Sequence, residues 1–587
     1  MTGALLFLLA GCHAQPGSKG ATGPRKTADR PNVVVIITDD QGIGDFGIAG
    51  NAVLQTPHLD ALARRSVSVS DFYVSPVCSP TRASLMTGRY HMRTQCIDTY
   101  QGRSRMSPEE VTLAEAMRGA GYATGIFGKW HLGDNHPMRP TDQGFDEALI
   151  HRGGGIGQSS DTRDKPGQYT NPVLYHNNHE VNPTGYCTDI YFDAAIGFIN
   201  KQAESGQPFF TYIATNAPHG PYHDVPEGLL AEYAARDLSA IMAPNDHGKP
   251  EAIDRLARIG AMITNIDQNV GKLVGSLEAS GLIDNTIILY LNDNGPNTRR
   301  YVGDLHGHTF RGMKTEVYEG GIRSPLWVRW DGVLEPARQA ELIAAHIDLM
   351  PTLLDACGVA APEGVVWDGR SILPVLNGER ETLPERAIVV QAHRGTAPNR
   401  YNNFMIRRGD WKLLNATRPW GNQDEKDPTF ELYNLSQDPG ESNNLASDRP
   451  EKLAELRAAY DAWFDDMTAD FARRRFPQLI VIDPTRENPA MLTRQDWDGS
   501  AWPLRVDKPG RYDIRLELGP GRSVPGEGWT ARLVAGEQAF ERPIGAGQST
   551  ALFEAVSLPA GVMSMRGVFV KQGQRDRAAH HLRVIGR

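Results

Sequence analysis

Four apolar runs with helical patterns between them constrain this chain most. They are Pro31–Thr38, Gly121–Phe127, Pro208–Ala214 and Thr286–Leu291. The first and third are unbroken runs rich in β-branched and aromatic residues and predict strands buried in the sheet; the second and fourth predict further strands. Thr56–Ala63, Val111–Met117, Thr188–Gln202 and Ile253–Leu277 carry the intervening helical patterns. A further strand at Leu326–Val328 and a helix near His346–Thr352 extend the series. This alternation predicts an α/β domain over residues 31–380, a mostly parallel central sheet flanked by helices.

Each run hands over to polar residues. Asp39-Asp40 follows the first, Lys129 and His131 the second, His219 the third and Asp293-Asn294 the fourth. Open α/β sheets place their sites at the carboxyl ends of strands, so these residues predict one composite site. Adjacent carboxylates repel, and a bound cation offsets that charge most simply. Asp39, Asp40, Asp293 and Asn294 offer oxygen only, which favours Ca²⁺ or Mg²⁺ over zinc. His219, between Pro218 and Pro221, suits a positioned acid or base. His151-Arg152-Gly153-Gly154-Gly155 could line a pocket, but turn chemistry alone explains its glycines.

Cys78-Ser79-Pro80-Thr81-Arg82-Ala83-Ser84-Leu85-Met86-Thr87-Gly88-Arg89 sets a cysteine directly before a helix. Pro80 suits the first helical position, and Gly88 suits the stop. Cys78 then lies at a helix N-terminus, where free amides favour an anion. Cys-x-Pro-Thr-Arg with Thr-Gly-Arg resembles the signature of the type I, formylglycine-dependent sulfatases. Gly121-Tyr122-x-Thr124 with Gly128-Lys129-Trp130-His131-Leu132-Gly133 resembles that family's second signature. Phe310–Lys314 and Tyr318–Pro325 resemble the segment carrying its second sulfate-binding lysine, and Leu432–Leu445 its usual close. The resemblance covers residues 31 to about 468.

The resemblance implies an alkaline-phosphatase-like fold and an arylsulfatase-like sulfuric ester hydrolase. It implies that a formylglycine-generating or anaerobic maturation enzyme converts Cys78 to formylglycine, whose hydrate is the nucleophile. One Ca²⁺ would be held by Asp39, Asp40, modified Cys78, Asp293 and Asn294. Arg82 would brace position 78, Lys129 and Lys314 would neutralise sulfate oxygens, and His131 would take the proton of the second hydroxyl. His219, assisted by Lys314, would serve the departing alcohol. A further serine of the family has no evident counterpart here.

Composition bounds the rest. A net charge of −9 gives no basic footprint for nucleic acid. Five cysteines, an odd number, do not make a disulfide framework. Leu9-Ala10-Gly11-Cys12 resembles a bacterial lipobox, although no Lys or Arg precedes the apolar run. Residues 1–30 therefore predict a lipoprotein-type signal and linker, giving an exported protein of periplasm or cell surface. Its membrane contact would be a lipid anchor at Cys12. Residues 381–470 predict a smaller antiparallel α+β subdomain, and the alternating runs of 476–587 an appended β-sandwich, binding glycans or purely structural.

Export and an accessory β-domain point to sulfated carbohydrate as substrate. Loops 151–188 and 297–311, the latter with Arg299, Arg300, His306 and His308, would set its specificity. A phosphodiesterase or phosphonate monoester hydrolase of the same superfamily is one alternative, and an inactive glycan-binding surface lipoprotein another.

Overall fold

The computed structural model describes residues 30–161, 167–298, 310–392, 394–417, 428–519 and 527–587. Cys12, Arg299, Arg300, His306 and His308 lie outside the described residues.

The central sheet has ten strands: β1 (Asn32–Thr38), β2 (Val67–Tyr73), β3 (Ala123–Lys129), β4 (Glu147–His151), β5 (Leu174–His176), β6 (His179–Val181), β7 (Phe209–Ala214), β8 (Thr286–Asn292), β9 (Leu326–Arg329) and β10 (Gln339–Ala345). Their order is β10-β2-β9-β8-β1-β7-β3-β4-β5-β6. β8, β1, β7, β3 and β4 run parallel, with Val35 opposite Tyr212 on one side and Leu289 on the other. β9 is antiparallel to both β8 and β2, so β2 points the same way as the parallel core. All the strands that carry predicted site residues therefore end at one edge.

Val33 to Ile37 are fully buried because both faces are covered. Val33, Val35 and Ile37 pack with residues of helices Cys78–Thr87, Leu113–Gly119 and Leu349–Cys357. Val34 and Ile36 pack with residues of helices Pro57–Arg64, Cys187–Ser205 and Pro250–Ala279. At about 1.5–3 kcal/mol for each large apolar side chain, this burial is what an unbroken run contributes that an alternating one does not. Residues 151–188, which read as irregular, contain β5 and β6, two short antiparallel strands on the sheet edge. Three residues each is too short for a periodic signal.

Ile388–Gln391, Phe404–Arg408, Trp411–Asn415 and Glu431–Asn434 form a four-stranded antiparallel sheet in sequential order. Helix Pro450–Phe471 shares its core through Leu456, Tyr460, Phe464 and Met467. Farther on, a six-stranded and a four-stranded sheet enclose one apolar core that includes Trp502, Ile514, Leu516 and Phe569. Met138, from the α/β part, joins that core. No described helix is long and apolar enough to cross a membrane.

Candidate active site

The helix that begins at Cys78 sets the site. Its N-cap is Val77 and its first residue Cys78, two positions earlier than Pro80 suggests. Proline is tolerated there because first-turn amides have no partner inside the helix. Gly88, at φ +67°, ends it in the left-handed conformation. Every residue from Cys78 to Thr87 is buried. Thr81 Oγ1 donates to the Asp293 carbonyl at 2.7 Å, tying this helix to the end of β8.

Around the Cys78 sulfur stand Asp39, Asp40 and Asp293, all buried, with one ligand atom from each of the four within 4.8 Å of the others. The thiol donates to Asp39 Oδ1 at 3.4 Å. Asp40 has φ +64°, a conformation uncommon outside glycine that turns the chain straight after Asp39. Asn294 donates through Nδ2 to Asp40 Oδ1 at 2.8 Å. Its Oδ1 is buried with no hydrogen-bond partner. An orphaned amide oxygen beside three carboxylates is the donor set of a hard, oxygen-binding cation, so these residues fit Ca²⁺. Among the described residues this is the one cluster of three or more acidic, histidine or cysteine groups able to close on a common ion. It contains no histidine, contrary to what a two-zinc phosphatase needs.

Three cations face the carboxylates. Lys129 Nζ lies 2.5 Å from Asp39 Oδ2, and Lys314 Nζ lies 2.5 Å from Asp40 Oδ1. Arg82 grips Asp293 Oδ2 through Nε at 3.2 Å and Nη2 at 2.8 Å, and its Nη1 donates to the Lys129 carbonyl at 2.9 Å. Burial pushes the Asp39 and Asp40 carboxyls up, yet the nearby lysines and His219 outweigh it and hold both below the usual range. For Asp293, burial and the Asp39 charge win over Arg82 and raise it. Burial, with Asp293 and Asp39, pushes the Cys78 thiol up to about 12, so the unmodified sulfur stays protonated at neutral pH.

Both predicted histidines border this cluster. His131 sits at φ +60°, and its Nε2 is 2.8 Å from the Thr99 carbonyl. That carbonyl can only accept, so Nε2 carries the proton and Nδ1 the lone pair. Nδ1 is buried without a hydrogen-bond partner. Burial and the Lys129 charge keep the ring's pKa well below the ordinary value, hence neutral. His219 Nδ1 is 2.6 Å from the Gly220 carbonyl, and its Nε2 is 3.7 Å from Asp40 Oδ2 and 3.5 Å from Gln158 Nε2. The predicted metal ligands, Arg82, both lysines and His219 are thus joined by direct contacts, with His131 following Lys129 at the end of β3.

Two contributions lie outside the predicted site residues. A side chain at Gly154 would place its Cβ 2.5 Å from His131 Nε2, and one at Gly155 would come 3.1 Å from His219 Cε1. Of the three glycines only Gly153 has a positive φ, so close approach, and not turn chemistry, requires the other two. The other contribution is Gln495, which reaches His131 from the β-sandwich with 3.4 Å between Nε2 atoms. Cys96, Cys187 and Cys357 are all buried.

Comparison with known proteins agrees with this geometry. The sulfatase family profile matches residues 31–359, and the profile of the N-sulphoglucosamine sulphohydrolase C-terminal region matches residues 308–464. N-acetylgalactosamine-6-O-sulfatase of Bacteroides thetaiotaomicron is 30% identical over 525 residues, 77% of this chain and 96% of that protein. Human arylsulfatase A is 30% identical over 503 residues, 77% of this chain and 92% of that one. The structure of Ps i-CgsB in complex with k-i-k-neocarrahexaose superposes with a TM-score of 0.60 at 26% identity, covering 74% of this chain and 92% of that chain. The chain belongs to the type I sulfatase family and is a sulfuric ester hydrolase.

Proposed function

We propose that the protein removes sulfate from sulfated carbohydrate, using formylglycine made from Cys78 and one Ca²⁺ held by Asp39, Asp40, Asp293 and Asn294. The observation that carries this reading is the buried oxygen cage around the Cys78 sulfur, with two lysines bonded to its carboxylates. The carbohydrate is supported by relatives named for N-acetylgalactosamine sulfate esters and by a structural neighbour bound to an oligosaccharide. When bound, the cation would neutralise charge on sulfate and acidify a hydroxyl beside it; the aldehyde hydrate would supply that hydroxyl.

The side chains divide the remaining work. Lys129 and Lys314 donate to sulfate oxygens from fixed positions on Asp39 and Asp40. Arg82 holds the Asp293 carboxylate in one orientation. His131, neutral and with a free lone pair on Nδ1, accepts a proton from a hydroxyl at position 78. His219 donates through Nδ1 to Gly220, so its Nε2, protonated as well in the imidazolium form, is the atom that passes a proton to the departing alcohol and is left with the lone pair. Export and tethering through Cys12 complete the proposal and match a polymeric substrate met outside the cytoplasm.

Mass spectrometry of the peptide containing position 78 tests the modification: the thiol sulfur should be lost and a carbonyl oxygen gained. Fully active enzyme with an intact thiol would sink it. Chelation should abolish turnover and Ca²⁺ restore it better than Zn²⁺. Desulfation across a panel of sulfated sugars and an aryl phosphodiester should single out a sulfated sugar; preference for the phosphodiester would overturn the substrate class.

A further inference from the structure

The β-sandwich reaches into the catalytic centre. Gln495 lies in the turn Arg494–Asp496, directly after strand Ala490–Thr493, and is 6% exposed. Its Nε2 donates to the Thr99 carbonyl at 2.5 Å, the same oxygen that His131 Nε2 approaches at 2.8 Å. Two N–H groups therefore converge on one acceptor, whose two lone pairs can serve both. Asp98 and Arg394 hold the Thr99 amide and hydroxyl instead, at 2.7 and 3.0 Å.

The turn that presents Gln495 is itself fixed. Thr493 Oγ1 accepts from Gln495 N at 3.1 Å, and Asp496 Oδ2 accepts from Thr493 N at 2.8 Å. Backbone bonds then fasten it to the loop that carries Thr99: Gly102 N donates to the Gln495 carbonyl at 2.7 Å, and Arg105 Nη2 to the Asp496 carbonyl at 3.1 Å. Gln495 Nε2 also lies 3.3 Å from Ser104 Oγ.

We propose that Gln495 is a positioning residue for catalysis: through the Thr99 carbonyl it holds His131 in the Nε2–H tautomer, making the β-sandwich part of the active site. The inference rests on the role proposed above for His131. Removing one donor lets the carbonyl swing. The ring then loses its fixed acceptor, and the Nδ1–H tautomer, which has no lone pair where the base is needed, becomes accessible.

Gln495→Met keeps the side chain's length and every backbone bond of the turn but removes the donor. Gln495→Glu keeps size and polarity and, ionised, also lacks the donor. For both variants kcat should fall about tenfold with KM unchanged, the scale of one lost hydrogen bond. Nitrogen-15 spectra of histidine-labelled protein should show His131 passing from one Nε2–H tautomer to a mixture. In a His131→Ala background the Gln495→Met substitution should change residual turnover less than about twofold. Wild-type kcat and an unchanged His131 tautomer in both variants would overturn this inference while leaving the role of His131 intact. So would an equal loss from Gln495→Met in both backgrounds. Wild-type turnover by His131→Ala would instead overturn the base assignment itself.

Discussion

At the residue scale, spacing around the two histidines is the tightest constraint. Gly154 is not in the left-handed region, so φ does not demand glycine there, yet a Cβ would sit 2.5 Å from His131 Nε2 and 2.6 Å from Cε1. Either the ring or the loop must shift. Gly154→Ala should lower kcat by tenfold or more, since displacements near 1 Å reach about a hundredfold. Gly155→Ala meets His219 Cε1 at 3.1 Å and should be milder. Steady-state kinetics of the pair would show it, and equal effects would count against spacing as the cause. Cys78→Ser tests the second hydroxyl. A serine at this helix start can attack sulfur once, forming an ordinary sulfate ester with no neighbouring hydroxyl for His131 to deprotonate. Release of at most one alcohol per enzyme, with sulfate retained on the protein, is expected from rapid mixing and intact-mass analysis. Sustained turnover would mean the second hydroxyl is dispensable.

At the scale of elements, helix Cys78–Thr87 is held to the end of β8 by the Arg82–Asp293 pair, with side chains 1% and 0% exposed. Arg82→Ala leaves a buried carboxylate uncompensated and should destabilise the fold by roughly 3–5 kcal/mol. Adding Asp293→Asn removes the stranded charge, so the double variant should unfold at higher urea than Arg82→Ala alone. If it unfolds at lower urea, the loss came from packing. Elements such as β1, β3, β7 and β8 were legible because unbroken apolar runs have one structural use in a covered sheet. Their site residues were legible for a related reason, since a parallel sheet collects every strand end on one edge. The start of the Cys78 helix was misplaced by two residues because Pro80 fits any first-turn position. β5 and β6 are too short to carry a period. Gly154 and Gly155 show no signal of their own: what they make room for is a histidine from another strand.

At the scale of the whole molecule, the contacts that unite its parts lie farthest from any local pattern. Gln495 meets His131 across 364 positions of chain, and nothing in either neighbourhood predicts it. The second joint is ionic. Lys412, in strand Trp411–Asn415, lies 2.7 Å from both Glu319, in the turn before β9, and Glu441, and all three are buried. One ammonium cannot fully offset two carboxylates there. Burial pushes Glu441 up, Lys412 resists and the Glu319 charge adds to the rise, bringing it to about 7. Burial pushes Glu319 up as well, but Lys412, Arg323 and Arg407 outweigh it and hold that carboxyl below its usual value. Glu319 thus keeps the charge and Glu441 the proton. Because the folded pKa of Glu441 exceeds the unfolded value near 4.5, its protonated form contributes stability below pH 4.5 that is lost as pH rises through about 7. Glutamine mimics the protonated acid. Glu441→Gln should therefore match the wild type near pH 4.5 and be more stable by roughly 3 kcal/mol near pH 8, about 1.4 kcal/mol per pKa unit. Urea unfolding of both proteins across that range measures the difference directly. A difference that stays flat would mean Glu441 does not titrate in this window. A glutamine variant weaker at pH 8 would mean that Lys412 holds both carboxylates ionised, and that the joint between the catalytic sheet and the C-terminal strands is a true ion triad.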